Sequence, residues 1–404
     1  MHWQTPRSKF RTYWTAKKHT APLYPTERHT LLKKGAQMTR WTSKQAKDWW
    51  QGRPWVCGFN FLPSTAVNFI EMWHPDTFDM PTIKRELSWA ADIGFNAIRI
   101  NLPYLGWVYD ADGLLDRLDR VMHVAKDLGI DTIPCLFDDC GFGGDEPVWG
   151  IQAEPVRGVH NSRAVASPGR AIVMDPNQRD QLQAYVQAVI GKFRDDPRIL
   201  FWDLYNEPGN RMNFSDGDFD QYASALEQSA LSLMESCFEW ARSQHPIQPL
   251  TVAAWSTPLP GEDAHPYQTE IDRSALLHSD IVTFHAYWNR ARVSEFIDIL
   301  TVLDRPIVCT EWMARAVDSQ ISDQLELFHD RCVGCFQWGL VTGRTQTFLP
   351  WPDALVKAHG GDPTRDIWFH DLLHKDGSPY DDREIETIRR LTNTQAQPTE
   401  RTAI

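Results

Sequence analysis

The stretch Ile199-Leu-Phe-Trp-Asp-Leu-Tyr-Asn206, followed directly by Glu207 and Pro208, carries the strongest structural signal in the chain. Its run of apolar and aromatic residues is typical of a strand buried inside a parallel sheet. Because Pro208 lacks the N–H that a strand needs, the strand must end at Asn206-Glu207. The pattern places an acidic side chain on rigid backbone at the carboxyl end of a strand. Taken alone, Glu207 has an alternative interpretation as an ordinary exposed loop acid.

Seven further apolar runs flank this one, and amphipathic helical patterns lie between them. Such alternation indicates parallel βαβ units, and eight strands in one chain fit a closed barrel better than an open sheet. We therefore predict an α/β fold, a single (β/α)8 TIM barrel. A doubly wound sheet is the alternative, but no glycine-rich phosphate loop follows the first run. The predicted strands are Trp55–Phe61, Asn96–Leu102, Asp131–Phe137, Ile199–Asn206, Leu250–Trp255, Ile281–Tyr287, Pro306–Glu311 and Val333–Leu340. The predicted helices are Thr82–Ile93, Leu114–Leu128, Asn177–Phe193, Phe219–Ser243, Val293–Leu303, Ile321–Asp330 and Asp382–Leu391.

Two segments between these elements are too long to be simple connections. Asp138–Pro176 follows the third predicted strand, and Thr342–Trp368 follows the eighth. Both leave the carboxyl ends of strands, where barrel enzymes place their active sites. We expect these two insertions to shape a pocket.

A second strand-end glutamate strengthens the interpretation of the first. Pro306-Ile-Val-Cys-Thr-Glu311 is again an apolar run that ends in an acid, and an aromatic residue, Trp312, follows it. Hydrolysis of a glycosidic bond needs two carboxylates, which stand about 5–5.5 Å apart in retaining enzymes. Glu207 would end the fourth strand and Glu311 the seventh, so the two would meet across the barrel mouth.

With these residues in view, the chain resembles glycoside hydrolase family 5 and the wider clan A of barrel glycosidases. The resemblance extends over roughly residues 55–391, and its spaced combination of motifs is specific although each piece is weak. The motifs are Arg99 in Ala97-Ile98-Arg99-Ile100, Asn206-Glu207, His285-Ala286-Tyr287, Glu311, and Trp338 in Phe336-Gln337-Trp338-Gly339.

The resemblance implies a role for each of these residues. Glu207 would be the general acid/base and Glu311 the nucleophile of a retaining mechanism. Asn206 would hydrogen-bond the sugar 2-hydroxyl, and His285 would also belong to the substrate-binding set. Arg99 and Tyr287 would orient Glu311. Trp338 would form the floor of the subsite that holds the reacting sugar.

Physical chemistry supports these roles independently. A nearby arginine lowers the pKa of a carboxyl group, which keeps a nucleophile ionised, and the negative charge of Glu311 would raise the pKa of Glu207. Asp203 shares strand parity with Glu207, so we expect it to face the barrel interior. There it would need a partner, and an ion pair with Arg99 is the expected one.

The chain departs from the family pattern at the end of the third strand. Members of the family often carry a histidine there, where this chain has Phe137-Asp138-Asp139-Cys140. Either Asp138 or Asp139 could contact a sugar hydroxyl at the non-reducing end, or both could simply cap the loop. His160 and Asn161, in the first insertion, could replace the missing histidine. Trp312 is one of several tryptophans at strand ends, of which one or two are expected to line the sugar site.

Composition limits the remaining possibilities. A net charge of −12 argues against nucleic acid as a partner, and no apolar run approaches the roughly 18 residues that span a bilayer. Seven cysteines without a recognisable secretory signal argue against a disulfide framework. We expect a cytoplasmic protein with no metal and no cofactor. Its domains would be a basic disordered tail at 1–37, a catalytic domain at 38–395 and a short tail at 396–404, with Met38 as a candidate natural start.

The sequence therefore predicts a retaining β-glycosidase that acts on an oligosaccharide or a small glycoside. Exo action is preferred because the insertions could close one end of the cleft. A β-mannoside is the first expected substrate, followed by a β-glucoside or a β-xyloside. The alternatives are an endo-β-1,4-glycanase with an open cleft, a carbohydrate-binding pseudoenzyme and a metal-dependent barrel hydrolase. The sequence does not indicate the oligomeric state.

Overall fold

Eight short parallel strands form the centre of the computed structural model, which describes residues 40–214, 219–259, 261 and 265–393. The strands are β1 Cys57–Asn60, β2 Ala97–Asn101, β3 Asp131–Asp138, β4 Trp202–Asn206, β5 Leu250–Thr251, β6 Val282–His285, β7 Ile307–Trp312 and β8 Gly334–Trp338. Their order around the barrel is β5-β4-β3-β2-β1-β8-β7-β6, and a parallel bridge between Ala254, beyond β5, and Phe284 in β6 joins the two edges. The predicted (β/α)8 barrel is confirmed.

Helices alternate with the strands along the chain. They are α1 Ser43–Trp50, α2 Phe69–Trp73, α3 Met80–Ile93, α4 Tyr104–Asp127, α5 Arg170–Met174, α6 Arg179–Phe193, α7 Ala225–Arg242, α8 Glu270–His278, α9 Arg290–Thr301, α10 Ile321–Asp330, α11 Asp353–Ala358 and α12 Asp382–Asn393. Short 3-10 turns occupy Pro176–Gln178 and Arg315–Val317. None of these described helices is long and apolar enough to cross a membrane.

Several predicted boundaries were wrong, and short helices such as α1 and α2 were not predicted. The largest shift is in α4, which begins at Tyr104 rather than Leu114. The fifth strand ends at Thr251 rather than Trp255. Helix α7 begins at Ala225 rather than Phe219, because Asp220–Gln221 pairs with Met212–Asn213 in a small antiparallel ribbon instead. Helix α8 was not predicted, although Thr269 caps it by accepting a hydrogen bond from the Asp272 N–H.

The described residues belong to one compact unit. The predicted tails at 1–37 and 396–404 lie outside the described residues. All seven cysteines are described, and none of them forms a disulfide.

The two long insertions meet each other at the barrel mouth. The Asn161 N–H donates to the Thr345 carbonyl at 2.8 Å, and the side chain of Gln346 both accepts from the Gly158 N–H and donates to the Val156 carbonyl. Strands β2 and β1 lie between β3 and β8 in the barrel, so insertions that leave β3 and β8 and meet must pass over those two strands.

The loop after β1 joins this contact. The Arg344 N–H donates to the Ser64 carbonyl at 3.1 Å, and the Asn68 amide donates to the Arg163 carbonyl at 2.9 Å. We call the loop at 61–68 and the insertions at 139–169 and 339–381 together the mouth wall. The mouth wall covers one side of the barrel mouth.

Trp312 does not line a sugar site, so this part of the prediction was wrong. Successive side chains of a strand point to opposite faces, and Glu311 faces the barrel interior. Trp312 therefore points outward, where it is 1% exposed and packs edge-on against Phe328 of α10. By contrast, Trp338 at the end of β8 remains partly exposed.

These two tryptophans should respond differently to the same substitution. Trp312→Phe should lower the free energy of unfolding by about 1–3 kcal/mol, because it leaves unfilled volume in the core. Trp338→Phe should instead lower kcat/KM by up to about tenfold, since an aromatic contact is worth roughly 0.5–1.5 kcal/mol. Denaturant unfolding and steady-state kinetics measure both effects. An unchanged stability in the first variant together with weaker substrate binding would reverse the assignment.

Candidate active site

Glu207 and Glu311 meet inside the barrel mouth, as their strand ends predicted. Glu207 follows β4 directly and Glu311 lies near the end of β7. One carboxylate oxygen of each, together with a ring nitrogen of His285, lie within 4.8 Å of one another. Retaining pairs stand about 5–5.5 Å apart and inverting pairs about 6.5–9.5 Å apart, so such a close approach favours the retaining arrangement.

Local irregularities of the backbone aim both glutamates. Between Cys309 and Trp312, β7 contains one more residue than the segments of β8 and β6 that pair with it, which is a β-bulge. Such a bulge redirects the side chain beside it, here Glu311. Glu207 has a φ of 43°, a left-handed conformation that is uncommon outside glycine.

Arg99 connects the strands beneath the two glutamates. Its fully buried guanidinium donates to Asp203 at 2.9 Å and to Glu311 at 3.0 Å. It also donates to the side-chain oxygens of Asn206 at 2.7 Å and Asn60 at 2.8 Å. The expected ion pair between Arg99 and Asp203 is confirmed.

Glu311 accepts hydrogen bonds at both of its oxygens. Arg99 donates to Oε1, and the Tyr287 hydroxyl donates to Oε2 at 2.9 Å. Burial raises the pKa of Glu311, as does the nearby charge of Glu207, while His285, Arg99 and Tyr287 oppose the rise. Burial keeps His285 itself neutral near pH 7, so among the described residues Arg99 is the one full positive charge at hydrogen-bond distance from the pair, and it lies on the Glu311 side.

Glu207 accepts from uncharged donors. The Asn210 amide donates to its Oε2 at 2.6 Å, and the Cys140 thiol donates to the same oxygen at 2.9 Å. His285 Nδ1 lies 2.8 Å from Oε1. Burial lowers the pKa of His285 to about 4, so its ring is neutral near pH 7. Burial raises the pKa of Glu207.

This difference in donors decides where a shared proton resides. Two adjacent buried carboxyl groups do not both ionise easily, so the pair keeps one proton at moderate pH. A guanidinium favours the ionised form of its neighbour more strongly than amide or thiol donors do. The arrangement favours a protonated Glu207 beside an ionised Glu311.

Asp139 does not contact the site where a sugar would lie. Its carboxylate is 0% exposed and accepts from the Tyr205 hydroxyl and, at 2.7 Å, from the Gly209 N–H. Of the two interpretations of Asp139, the loop cap is therefore correct, and substrate binding was wrong. The contact fixes the turn that follows Glu207.

His160 and Asn161 lie within the mouth wall. The buried His160 ring hydrogen-bonds to the Leu349 carbonyl at 2.7 Å, and it stacks edge-on with His370, whose ring in turn contacts Tyr287. Burial lowers the pKa of His160 to about 4, so its ring is neutral near pH 7. His160 therefore packs against Tyr287 only indirectly, through His370. It does not take the place of the missing histidine beside the glutamates.

Cys140 and Asn210 contact Glu207 but were not predicted as site residues. Asn210 is fully buried, and its side-chain oxygen accepts from the Met212 N–H at 2.8 Å, which turns its amide nitrogen toward Glu207. Cys140 lies two residues after the end of β3, where this chain lacks the histidine that members of the family often carry. That difference from the family pattern could have indicated Cys140, whereas Asn210 lies in a turn whose path no periodicity predicts.

Within the described residues, Glu207, His285 and Glu311 are the one group with the ligand geometry of a metal site. Arg99 lies 3.0 Å from Glu311, and its positive charge opposes a cation at this place. The cluster fits acid–base and nucleophilic chemistry better than metal ligation.

Comparison with known proteins agrees with this geometry. The family Cellulase (glycosyl hydrolase family 5) matches residues 58–341, which is more than half of the chain. Mannan endo-1,4-beta-mannosidase A of Podospora anserina is 25% identical over 189 residues, or 43% of this chain and 41% of that enzyme. The chain thus spans less than half the length of this relative.

Two solved structures share the fold. The endo-1,4-beta-mannanase of Rhizomucor miehei has a TM-score of 0.55 at 14% identity and covers 86% of this chain and 96% of that one. The exo-beta-1,4-mannosidase of Opitutaceae bacterium strain TAV5 has a TM-score of 0.53 at 16% identity and covers 85% and 60%, respectively. At these identities the likeness shows the fold alone. The family match, together with the barrel, shows that the chain belongs to glycoside hydrolase family 5, a family of retaining glycoside hydrolases.

Proposed function

We propose that the protein is an exo-acting retaining β-glycosidase in which Glu311 is the nucleophile and Glu207 the general acid/base. The observation that supports this assignment is the unequal pairing of the two carboxylates. Glu311 is bound by a guanidinium, and Glu207 only by neutral donors. A nucleophile must be ionised and an acid protonated, so the donors match the roles.

The reaction would proceed in two displacements. In the first, an oxygen of Glu311 attacks the anomeric carbon while Glu207 gives its proton to the departing glycosidic oxygen. Bond formation removes the charge of Glu311, so Glu207 then remains ionised more easily. In the second, Glu207 takes a proton from water, and the water oxygen replaces Glu311 at the anomeric carbon with net retention.

The residues around the pair would hold the sugar. Asn206, fixed by Arg99, would offer an amide N–H to the 2-hydroxyl, a contact that strengthens in an oxocarbenium-like transition state. Arg99 and Tyr287 would orient Glu311. His285 lies 2.8 Å from Glu207 and 3.7 Å from Glu311 and would space the two carboxylates. The partly exposed Trp338 would lie under the reacting sugar ring.

The mouth wall supports exo action. A cleft that accommodates an internal linkage must be open on both sides of the glutamates, whereas the two insertions and the loop after β1 are hydrogen-bonded together on one side. Glu207 and Glu311 are only 7% and 6% exposed, which fits a narrow pocket better than an open groove.

A β-mannoside is the first substrate that we propose. The curated relative is named a mannan endo-1,4-beta-mannosidase, and one solved structure of the same fold is named an exo-beta-1,4-mannosidase. A β-glucoside and a β-xyloside come next, and an endo-β-1,4-glycanase is the alternative. We also propose a cytoplasmic location, as expected from the sequence, and short oligosaccharides are the substrates that fit it.

Hydrolysis of p-nitrophenyl β-glycosides (mannoside, glucoside, xyloside, galactoside and fucoside) tests the proposed function. Wild type should release p-nitrophenol from one sugar, and Glu311→Ala should lower this rate by at least about 10⁴-fold, because the nucleophile is lost. Glu326→Ala, at a half-exposed position of α10 where the carboxylate pairs with Arg390 of α12, serves as the control for a lost glutamate. Release of single sugars from the matching oligosaccharide would support exo action. Silence on the whole panel combined with mid-chain cleavage of longer oligosaccharides would favour the endo alternative.

The acid/base assignment has a separate signature. Glu207→Ala should hydrolyse an aryl glycoside with a good leaving group to the covalent stage and then stall, since no base activates water. Added azide should restore turnover and give a β-glycosyl azide. An α-glycosyl azide, or unchanged wild-type kinetics in Glu207→Ala, would contradict the assignment.

A further inference from the structure

The loop after β3 and the turn after β4 hold one oxygen of Glu207 between two donors. Cys140 belongs to the loop and Asn210 to the turn, and both donate to Oε2, at 2.9 and 2.6 Å. Each is also held by a contact that does not involve the Glu207 carboxylate. The Cys140 N–H donates to Asp138 at 2.8 Å, and the Met212 N–H donates to the Asn210 side-chain oxygen.

The thiol of Cys140 can only act as a donor to Glu207. The side-chain amides of Asn206 and Asn210 lie 3.4 and 3.5 Å from the sulfur and direct their N–H groups toward it. With its acceptor side so occupied, the sulfur directs its hydrogen to Oε2 of Glu207. Burial and the charges of Glu207 and Asp138 raise the pKa of this thiol well above its usual range, so the hydrogen stays on sulfur.

We propose that Cys140 and Asn210 are positioning residues that reserve Oε2 of Glu207 for two hydrogen bonds and so confine the catalytic proton to Oε1. A carboxylate oxygen has two lone pairs in the plane of the group, and both of those on Oε2 are directed at donors. The proton of the acid form must then lie on Oε1, the oxygen that faces Nδ1 of the neutral His285 ring at 2.8 Å. This inference rests on the proposed role of Glu207.

Cys140 and Asn210, which we call the clamp, also stabilise the negative charge that the reaction creates on Glu207. In the first displacement the Oε1 proton passes to the glycosidic oxygen, and the bond between that oxygen and the anomeric carbon breaks. The electron pair of the former O–H bond stays on Oε1, so Glu207 becomes ionised. Both donors then face an anion, and hydrogen bonds to an ionised group are stronger than those to a neutral one. In the second displacement Oε1 accepts a proton from the attacking water, while Oε2 keeps both donors throughout.

The other groups that face Glu207 act from the remaining sides of the site. They are Arg99 on β2, Asp138 on β3, His285 on β6, Tyr287 beyond β6 and Glu311 on β7. A substitution of Cys140 leaves all of them in place. A change in the titration of Glu207 in such a variant is therefore attributable to the lost donor.

The test is the pH dependence of kcat/KM for wild type, Cys140→Ala and Cys140→Ser on an aryl β-glycoside with a poor leaving group. Loss of a donor to the carboxylate raises the pKa of Glu207, so the acid form persists to higher pH. The alkaline limb of Cys140→Ala should move upward by roughly half a pH unit or more. Cys140→Ser keeps a donor and should return the limb toward the wild-type position. Cys332→Ser, on an exposed turn, is the matched control.

A second substrate separates positioning from a general structural effect. A leaving group that needs no protonation, such as 2,4-dinitrophenolate, should abolish the difference between Cys140→Ala and wild type. Equal losses on both substrates, or an unmoved alkaline limb, would overturn the proposal. If the alanine variant does not fold, Cys140→Val fills a similar volume without a donor and takes its place.

The two proposals fail in different ways. Suppose that Glu207→Ala loses the alkaline limb of the kcat/KM profile and responds to azide, while Cys140→Ala keeps that limb at the wild-type pH. This result would refute only the proposed role of Cys140 and Asn210. A Glu207→Ala variant that keeps the wild-type alkaline limb would refute the acid/base assignment itself.

Discussion

The guanidinium of Arg99 is the interaction on which the site depends. It is fully buried at the centre of the barrel and contacts side chains from β1, β4 and β7. A cation in such a place is tolerated only with anionic and polar partners, and Asp203 supplies the compensating charge. Removing either partner would leave an unpaired buried charge, at a cost of about 3–5 kcal/mol. Because Arg99 also holds Glu311 and Asn206, the stability of the barrel core and the ionisation of the nucleophile rest on the same side chain.

The sequence predicts this part of the molecule well for a physical reason. Parallel strands bring their carboxyl ends to one edge, so polar residues that end apolar runs must meet there. Glu207, Glu311, Arg99 and Asp203 all lie on or directly after such runs, so strand order predicts that they come together. The prediction that Trp312 lines the sugar site was wrong because adjacent residues of a strand point to opposite faces. Trp312 follows Glu311 directly, so its side chain is buried on the other face of β7.

Residues outside the strands could not be predicted in the same way. The path of a loop is set by its own hydrogen bonds, such as those that Asp139 accepts from Tyr205 and Gly209, and no periodicity encodes them. Asn210 and Cys140 reach Glu207 only through these turns. The extra residue in β7 is also invisible in the sequence, although it aims Glu311. The mouth wall is a further case, since its role depends on contacts between segments almost 200 residues apart, such as Val156 and Gln346.

The most direct test of the account is to identify the residue that becomes covalently attached to sugar. The enzyme would be incubated with a 2-deoxy-2-fluoro β-glycosyl fluoride of its preferred sugar, digested and examined by mass spectrometry. The fluorine slows the second displacement more than a well-activated first one, so the glycosyl-enzyme should accumulate. A single label on Glu311 is expected. A label on Glu207 or elsewhere, or turnover that inverts the anomeric configuration without any label, would contradict it.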